Sequence, residues 1–240
     1  MSLSEELQTK IEQARALLRR IAAEHAPAAF AHSFGAEDMV LMDLLSKEPE
    51  AREGIEAFTL DTGRLPEETY ALMQEVRERY PQVPVRPYFP EAAAVEAYVA
   101  EHGPNAFYES VALRKRCCAI RKVEPLKRAL AGKRAWVTGL RREQAPTRHD
   151  LGTEEWDADH GMPKFNPLVD WSHQEVWAYI RHFQVPYNAL HDRHYPSIGC
   201  APCTRAITVG EDIRAGRWWW ENPETKECGL HEHRRRAGGR

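Results

Sequence analysis

No stretch of this sequence is long and apolar enough to cross a bilayer, and its opening residues do not read as a secretory leader. The expectation is a cytoplasmic protein that keeps its thiols reduced. Cysteine is scarce. There are five, an odd number, and Cys117 and Cys118 are adjacent and poorly placed to bridge each other, which argues against a disulfide framework. An excess of one charge sign is also missing: 33 basic against 36 acidic side chains leave a formal net charge of -3. Extended nucleic-acid binding is therefore disfavoured, all the more because Trp218-Trp219-Trp220 stand almost alone as a stacking element. A glycine-rich phosphate loop is lacking as well; the one strand-to-helix turn of that kind, Ser33-Phe34-Gly35-Ala36, holds a single glycine.

What is present starts with the division of those cysteines. Cys117-Cys118 and Cys200-Ala-Pro-Cys203 make a set of four that suits a metal site, and Cys228 is left for chemistry. Spacing alone leaves three readings open: a 4Fe-4S cluster, zinc, or buried thiols acting as small apolar residues. The cluster is favoured, because adjacent cysteines clamp a tetrahedral ion awkwardly. Basic side chains collect at 114-148 and 205-217, flanking the cysteines, a placement that favours an anionic small-molecule substrate over a merely solvated face. His173, His182, His191 and His194 follow no strong zinc spacing and read as surface or packing residues.

In chain order, Leu7, Ile11, Ala14, Leu17, Leu18 and Ile21 mark one apolar face of a helix over 4-24, with Ser2 and Glu5 as a candidate capping box. A short apolar run to Ser33 turns at Gly35 into a helix. A second strand, 54-60, ends in Asp61-Thr62-Gly63-Arg64 before a helix opened by Pro66. A third strand near 83-89, broken by prolines, reads as an edge, and a helix follows through 92-102. Residues 105-131 read as helical around the cysteine pair, with Pro125 opening a new turn or kinking the element. Ala135 to Leu140 is another buried strand, ending in the arginine-rich loop Arg141-Arg142 to Arg148. Ser172 and Glu175 form a further candidate capping box. Repeated βα units predict an α/β fold, doubly wound with a mainly parallel sheet, and a ligand beyond the carboxyl ends of the strands, where the Ser33 and Asp61 turns both fall.

Several longer motifs are similar to those of the cluster-containing, adenylyl-sulfate branch of the phosphoadenylyl-sulfate reductase family: Leu60-Asp-Thr-Gly-Arg-Leu65, Cys117-Cys118-x-x-Arg121-Lys122, Trp136-Val-Thr-Gly-Leu-Arg-Arg142, Ser197-Ile-Gly-Cys-Ala-Pro-Cys-Thr-Arg205, Arg214-Ala-Gly-Arg-Trp-Trp-Trp-Glu221 and Lys226-Glu-Cys-Gly-Leu-His231. The resemblance spans nearly the whole chain. It implies a fold of the adenine-nucleotide alpha-hydrolase-like type and an oxidoreductase that converts adenosine 5'-phosphosulfate to sulfite and AMP through an S-sulfocysteine, with thioredoxin or glutaredoxin as electron donor. It makes Cys228 the nucleophile and Cys117, Cys118, Cys200 and Cys203 the ligands of a 4Fe-4S cluster. Lys122, Arg214 and Arg217 become the cations that receive the phosphosulfate; Ser33, Gly35, Asp61, Thr62, Gly139, Arg141 and His231 join the substrate set. The expected division is an N-terminal helix (1-25), a sulfonucleotide domain (26-209) and a tail bearing the nucleophile (210-240), with homo-oligomerisation left open. The chain departs from the pattern at Ala145 and His194, where Ser and Gly are expected; the latter is the easiest residue for positive φ. Rival readings are the same reaction on the 3'-phosphorylated substrate, with Arg64 or Arg148 as the extra anion site, an RNA-thiolating enzyme and a non-enzymatic iron-sulfur sensor.

Overall fold

A computed structural model describes residues 3-144, 148 and 150-222. Six strands form one sheet: β1 (Ala28–Ala31), β2 (Ile55–Leu60), β3 (Val85–Tyr88), β4 (Ala135–Val137), β5 (Glu154–Asp157) and β6 (Met162–Phe165). Their order is β3-β2-β1-β4-β6-β5, all neighbours parallel except the terminal β5/β6 pair. The chain moves outward from β1 through β2 to β3, then returns to the other side of β1 as β4. The topological switch point therefore lies between β1 and β4, where such sheets open a crevice beyond their strand ends.

Alternation along the strands builds two cores. Ala28, Phe30, Ile55, Ala57, Ala135, Val137 and Phe165 face one way, against α1 (Glu5–His25), α2 (Ala36–Ser46), α4 (Glu67–Arg79) and α8 (His173–Phe183). Ala29, Phe58, Trp136 and Met162 face the other, against Leu126, Ala129 and Leu130 of α7 (Glu124–Leu130). The strands read as continuous apolar runs because both faces are covered. Leu7, Ala14, Leu18 and Ile21 of α1 belong to the main core, so this helix is part of the sheet's packing. Its N-cap is Ser4, which accepts from the Leu7 N–H at 3.2 Å, in place of the expected Ser2. At α8 the expected capping box forms, Ser172 Oγ accepting from Glu175 N–H and Glu175 from Ser172 N–H.

Two elements lacked a readable signal: the short α3 (Pro49–Gly54) and the β5/β6 hairpin, whose outer strand Glu-Glu-Trp-Asp has poor strand propensity. β3 is an edge strand, as its Pro87 demands. After α5 (Ala92–His102), the run around the cysteine pair is one helical rod, α6 (Val111–Cys118), a wide π turn (Ala119–Val123) and α7. Pro125 has no N–H to give and its ring crowds the carbonyl one turn back. The rod responds by widening just before it, with Glu124 N–H bonded to the Ala119 carbonyl five residues earlier.

Candidate active site

At the carboxyl ends of β1 and β4 lies a cavity of about 260 Å³. Seven residues expected in the substrate site line it: Ser33 and Gly35 from the turn after β1, Gly139 and Arg141 from the turn after β4, Lys122 from the π turn, and Arg214 and Arg217 from the segment beyond the second cysteine pair. The cavity wall carries both signs of charge. Lys122, Arg214 and Arg217 supply cations, while Glu37 and Asp38, in the first turn of α2, supply carboxyl groups.

At the α2 end of the cavity, where the turn lacks a glycine-rich phosphate loop, the wall is acidic. Asp38 Oδ2 accepts from Ser33 N–H at 2.7 Å and from its hydroxyl at 2.5 Å. Burial pushes the Asp38 carboxyl up to about 7, against the pull of these bonds, and neighbouring Glu37 adds to the rise. A Cβ on Gly139 would overlap Asp38 Oδ1, so the β4 turn needs glycine for this close approach. Arg141 donates to Glu37 Oε1 from Nε at 2.9 Å and Nη2 at 2.7 Å, and from Nη1 to the Trp171 carbonyl at 3.0 Å; its side chain is 1% exposed. Burial alone would raise Glu37, but the guanidinium holds it below the ordinary carboxylate range. Glu37 thus neutralises Arg141, which shapes this end more than it attracts an anion.

Beside the acids stand three residues that sequence reasoning passed over or assigned elsewhere. His32, 2% exposed, accepts from the Phe34 N–H at Nδ1, which leaves the proton on Nε2, and burial pulls its pKa down to about 3. His173 and His191 also line the cavity, so neither is a plain surface residue. Of the two arginines considered for a further anion, Arg148 lines the cavity and donates to Gln144. Arg64 instead grips the Pro104 carbonyl and Asn105 and stacks on Phe107, at 2.5, 3.0 and 4.9 Å.

Asp61 and Thr62 do not line the cavity. Asp61 fixes its own turn, and Thr62 touches the cysteine loop. Asp61 accepts from Gly63 N–H and the Tyr70 hydroxyl, both at 2.8 Å, while Thr62 Oγ1 lies 3.2 Å from Cys200 Sγ. The Thr62 carbonyl receives Arg121 at 2.5 Å, and Ala201 N–H donates to the Arg64 carbonyl at 2.8 Å. All four cysteines of the two pairs are outside any disulfide and half-buried. Burial raises the Cys117 thiol, Arg121 opposes, and Cys200 adds to the rise; burial, then Cys200 and Cys118, push Cys203 up to about 12. Four thiols from two distant segments therefore converge closely enough to repel one another when ionised. Among the described residues, no three His, Cys, Asp or Glu side chains gather where a single metal ion would sit.

The segment after Cys203 doubles back over this loop. Thr204 and Arg217 form an isolated antiparallel bridge, and Arg205 N–H donates to the Gly216 carbonyl at 3.0 Å. Arg217 lies against Gly199, where any Cβ would overlap its guanidinium, and donates to the Ile198 carbonyl at 3.3 Å. A glycine one residue before Cys200 is thus what lets the cysteine loop and Arg217 lie this close together. Cys228, His231 and Ala145 lie outside the described residues.

A mainly parallel α/β sheet with a cavity at its switch point, lined by Lys122, Arg214 and Arg217 beside four converging thiols, has the adenine-nucleotide alpha-hydrolase-like fold. The fold is shared with an NAD synthetase from Campylobacter jejuni at 11% identity and a TM-score of 0.53, covering 76% of this chain and 75% of that one. It is also shared, at 28% identity and a TM-score of 0.68, with a phosphoadenylyl-sulfate reductase from Candida auris in a phosphate complex, over 86% of this chain and 99% of that one. The phosphoadenosine phosphosulfate reductase domain matches residues 27-206, and the chain belongs to that family. Similar relatives include the adenosine 5'-phosphosulfate reductase of Allochromatium vinosum, 59% identical over 94% of this chain and 86% of that protein. That of Neisseria meningitidis is 50% identical over 94% and 91%.

Proposed function

We propose that the chain is an oxidoreductase of sulfate assimilation that reduces adenosine 5'-phosphosulfate to sulfite and AMP, with thioredoxin or glutaredoxin as donor. The observation that supports this reading is the cavity lining: Lys122, Arg214 and Arg217 for a phosphosulfate, and the Glu37 and Asp38 carboxyl groups for neutral ribose hydroxyls. A relative named for the same substrate is 59% identical to this chain. The Cys228 thiolate attacks the sulfuryl sulfur, the sulfur–oxygen bond to the phosphate breaks, and AMP leaves with that electron pair. Lys122, Arg214 and Arg217 offset the charge that crowds together in this step and favour the thiolate. A donor thiolate then attacks Cys228 Sγ of the S-sulfocysteine and displaces sulfite, and the donor's second thiol resolves the mixed disulfide. Both electrons come from the donor dithiol.

Four half-buried thiols converging from two segments fit a 4Fe-4S cluster, in which each cysteine holds its own iron, better than one shared ion. Cys117, Cys118, Cys200 and Cys203 would hold it. Bound there, the cluster would tie α6 to the Cys200 loop and supply an electrostatic influence close to Lys122, with no redox part in the reaction.

Glu37 and Asp38 favour the substrate with a free 3'-hydroxyl, since a further phosphate at their end meets two carboxyl groups in a buried site. No helix of the described residues is long and apolar enough to cross a membrane, which accords with the cytoplasmic placement proposed here.

The test is a half-reaction. With substrate and no donor, intact-mass spectrometry is expected to find one SO3 per chain, on Cys228, absent from Cys228→Ser and matched by released AMP; reduced thioredoxin then discharges it as sulfite. Sulfite formation by Cys228→Ser at the wild-type rate would sink the proposal. Comparing kcat/KM for the two sulfonucleotides checks the preference, which a clear advantage for the 3'-phosphorylated one would reverse.

A further inference from the structure

One buried cluster has no part in the reaction above. Arg114, on α6 beside the first cysteine pair, and Glu221 form a two-pronged ion pair, Nε to Oε1 and Nη2 to Oε2, both at 2.9 Å, with side chains 1% and 2% exposed. They are 107 residues apart in sequence. The guanidinium carbons of Arg114 and Arg217 lie over the Trp218 ring, 4.8 and 4.7 Å from its centroid. Trp218 is 1% exposed and has a φ of 40°, a left-handed backbone that a bulky residue keeps only when its surroundings impose it. Those surroundings are visible: Trp218 N–H donates to the Cys203 carbonyl at 3.2 Å, and Glu221 N–H to the Trp218 carbonyl at 2.9 Å. Contacts thus run from Glu221 to Arg114, on to Trp218 and to Arg217, which lines the substrate cavity.

We propose that Glu221 is a positioning residue which, through Arg114 and Trp218, aims Arg217 at the substrate's anionic group. An ion pair closed off from water in two parallel bonds fixes direction as well as distance, which a single exposed pair does not. A rival role, holding the base of the chain that carries Cys228, is distinguishable by size. Cys228 stands seven residues beyond Glu221 and ten beyond Trp218. Freeing the pair would lengthen the tether from seven to ten residues, and effective concentration, falling as the -3/2 power of length, would drop only about 1.7-fold. A larger loss that depends on the ligand's charge belongs to Arg217.

The inference rests on the nucleotide reading of the cavity, so the experiment measures binding without turnover. Dissociation constants for AMP and for adenosine are compared by calorimetry in wild type, Glu221→Gln and the double variant Arg114→Met/Glu221→Met. The double variant is included because a lone charge left in the core can unfold the chain, whereas an apolar pair of similar volume does not leave one. Folding and iron content are followed in each. The expected result is an AMP constant raised about tenfold in folded variants, with adenosine binding within about twofold and iron retained. Unchanged AMP binding, an equal loss of AMP and adenosine, or failure of both variants to fold overturns the positioning role. A wild-type chain that binds neither ligand overturns the nucleotide reading, and this inference with it.

Discussion

Asp38 and His32 are close neighbours with opposite titration behaviour. Asp38 ionises at about 7 in the folded chain against 3.8 unfolded, so between these values the folded state keeps a proton that the unfolded state has lost, and stability falls as pH rises. His32 titrates at about 3 folded against 6.5 unfolded; the unfolded state is protonated first, and stability falls as pH drops from 6.5 towards 3. Each shift of about three units corresponds to something on the order of 4 kcal/mol, so the two nearly cancel across the shared window. Asp38→Asn should unmask His32: the urea midpoint of the variant is expected to climb with pH between about 4 and 6.5, where wild type stays nearly flat. A flat variant profile would remove the histidine from this account. His194 makes the same scale visible in the backbone. Its φ of 67° is the left-handed value for which glycine was expected, and His194→Gly should gain about 1 kcal/mol in chemical denaturation, a gain that vanishes if the position is unstrained.

Among elements, the helical rod through the first cysteine pair carries the most chemistry. Sequence spacing placed Lys122 one turn after Cys118 if the segment stayed helical, and the π turn alters that geometry. One residue accommodated in a wide turn corresponds to about 100° of rotation around the axis. Pro125→Ala restores an N–H and relieves the crowding, which lets the rod return to α spacing and turns Lys122 away from the cavity. The expected outcome is kcat/KM lower by about tenfold with a melting temperature equal to or above wild type; undiminished turnover would mean that the wide turn does not aim the lysine. The cap of α8 offers a plainer case. Removing the Ser172 hydroxyl as Ser172→Ala should cost about 1 kcal/mol in denaturant unfolding and leave KM within about twofold, since neither Ser172 nor Glu175 itself lines the cavity.

For the whole molecule, the question is whether the cysteine site holds the fold together. No cysteine belongs to the main core on the α1 face of the sheet, and the second core contains none either. Cys118→Ser is therefore expected to lose its iron and its activity while keeping most of its far-ultraviolet dichroism. Lys122→Ala is expected to lose activity and keep its iron. Protein prepared without air should contain about four irons per chain; stoichiometric zinc without iron would replace the cluster with a mononuclear site.

The repeated strand-turn-helix pattern, the edge position of the proline-broken strand and the grouping of Cys117 and Cys118 with Cys200 and Cys203 were legible in the sequence, because each depends on local periodicity or on counting. The cationic set Lys122, Arg214 and Arg217 was legible through motifs longer than chance provides, and the structure brings all three to one cavity. The β5/β6 hairpin escaped notice because its residues carry weak strand preference, and α3 because six residues hold too little period to read. Other outcomes were never in the local sequence. Arg141, expected in the substrate set, lines the cavity, but the fold also sets Glu37 against it, across 104 positions of chain. Thr62, at the expected strand end, turned out to touch the Cys200 loop while Asp61 fixes the turn beside it, and Glu221 found Arg114. A side chain's burial pattern is written in its neighbours along the chain, but its charge is balanced by whatever the sheet order brings beside it, and that partner exists only once the strands have crossed.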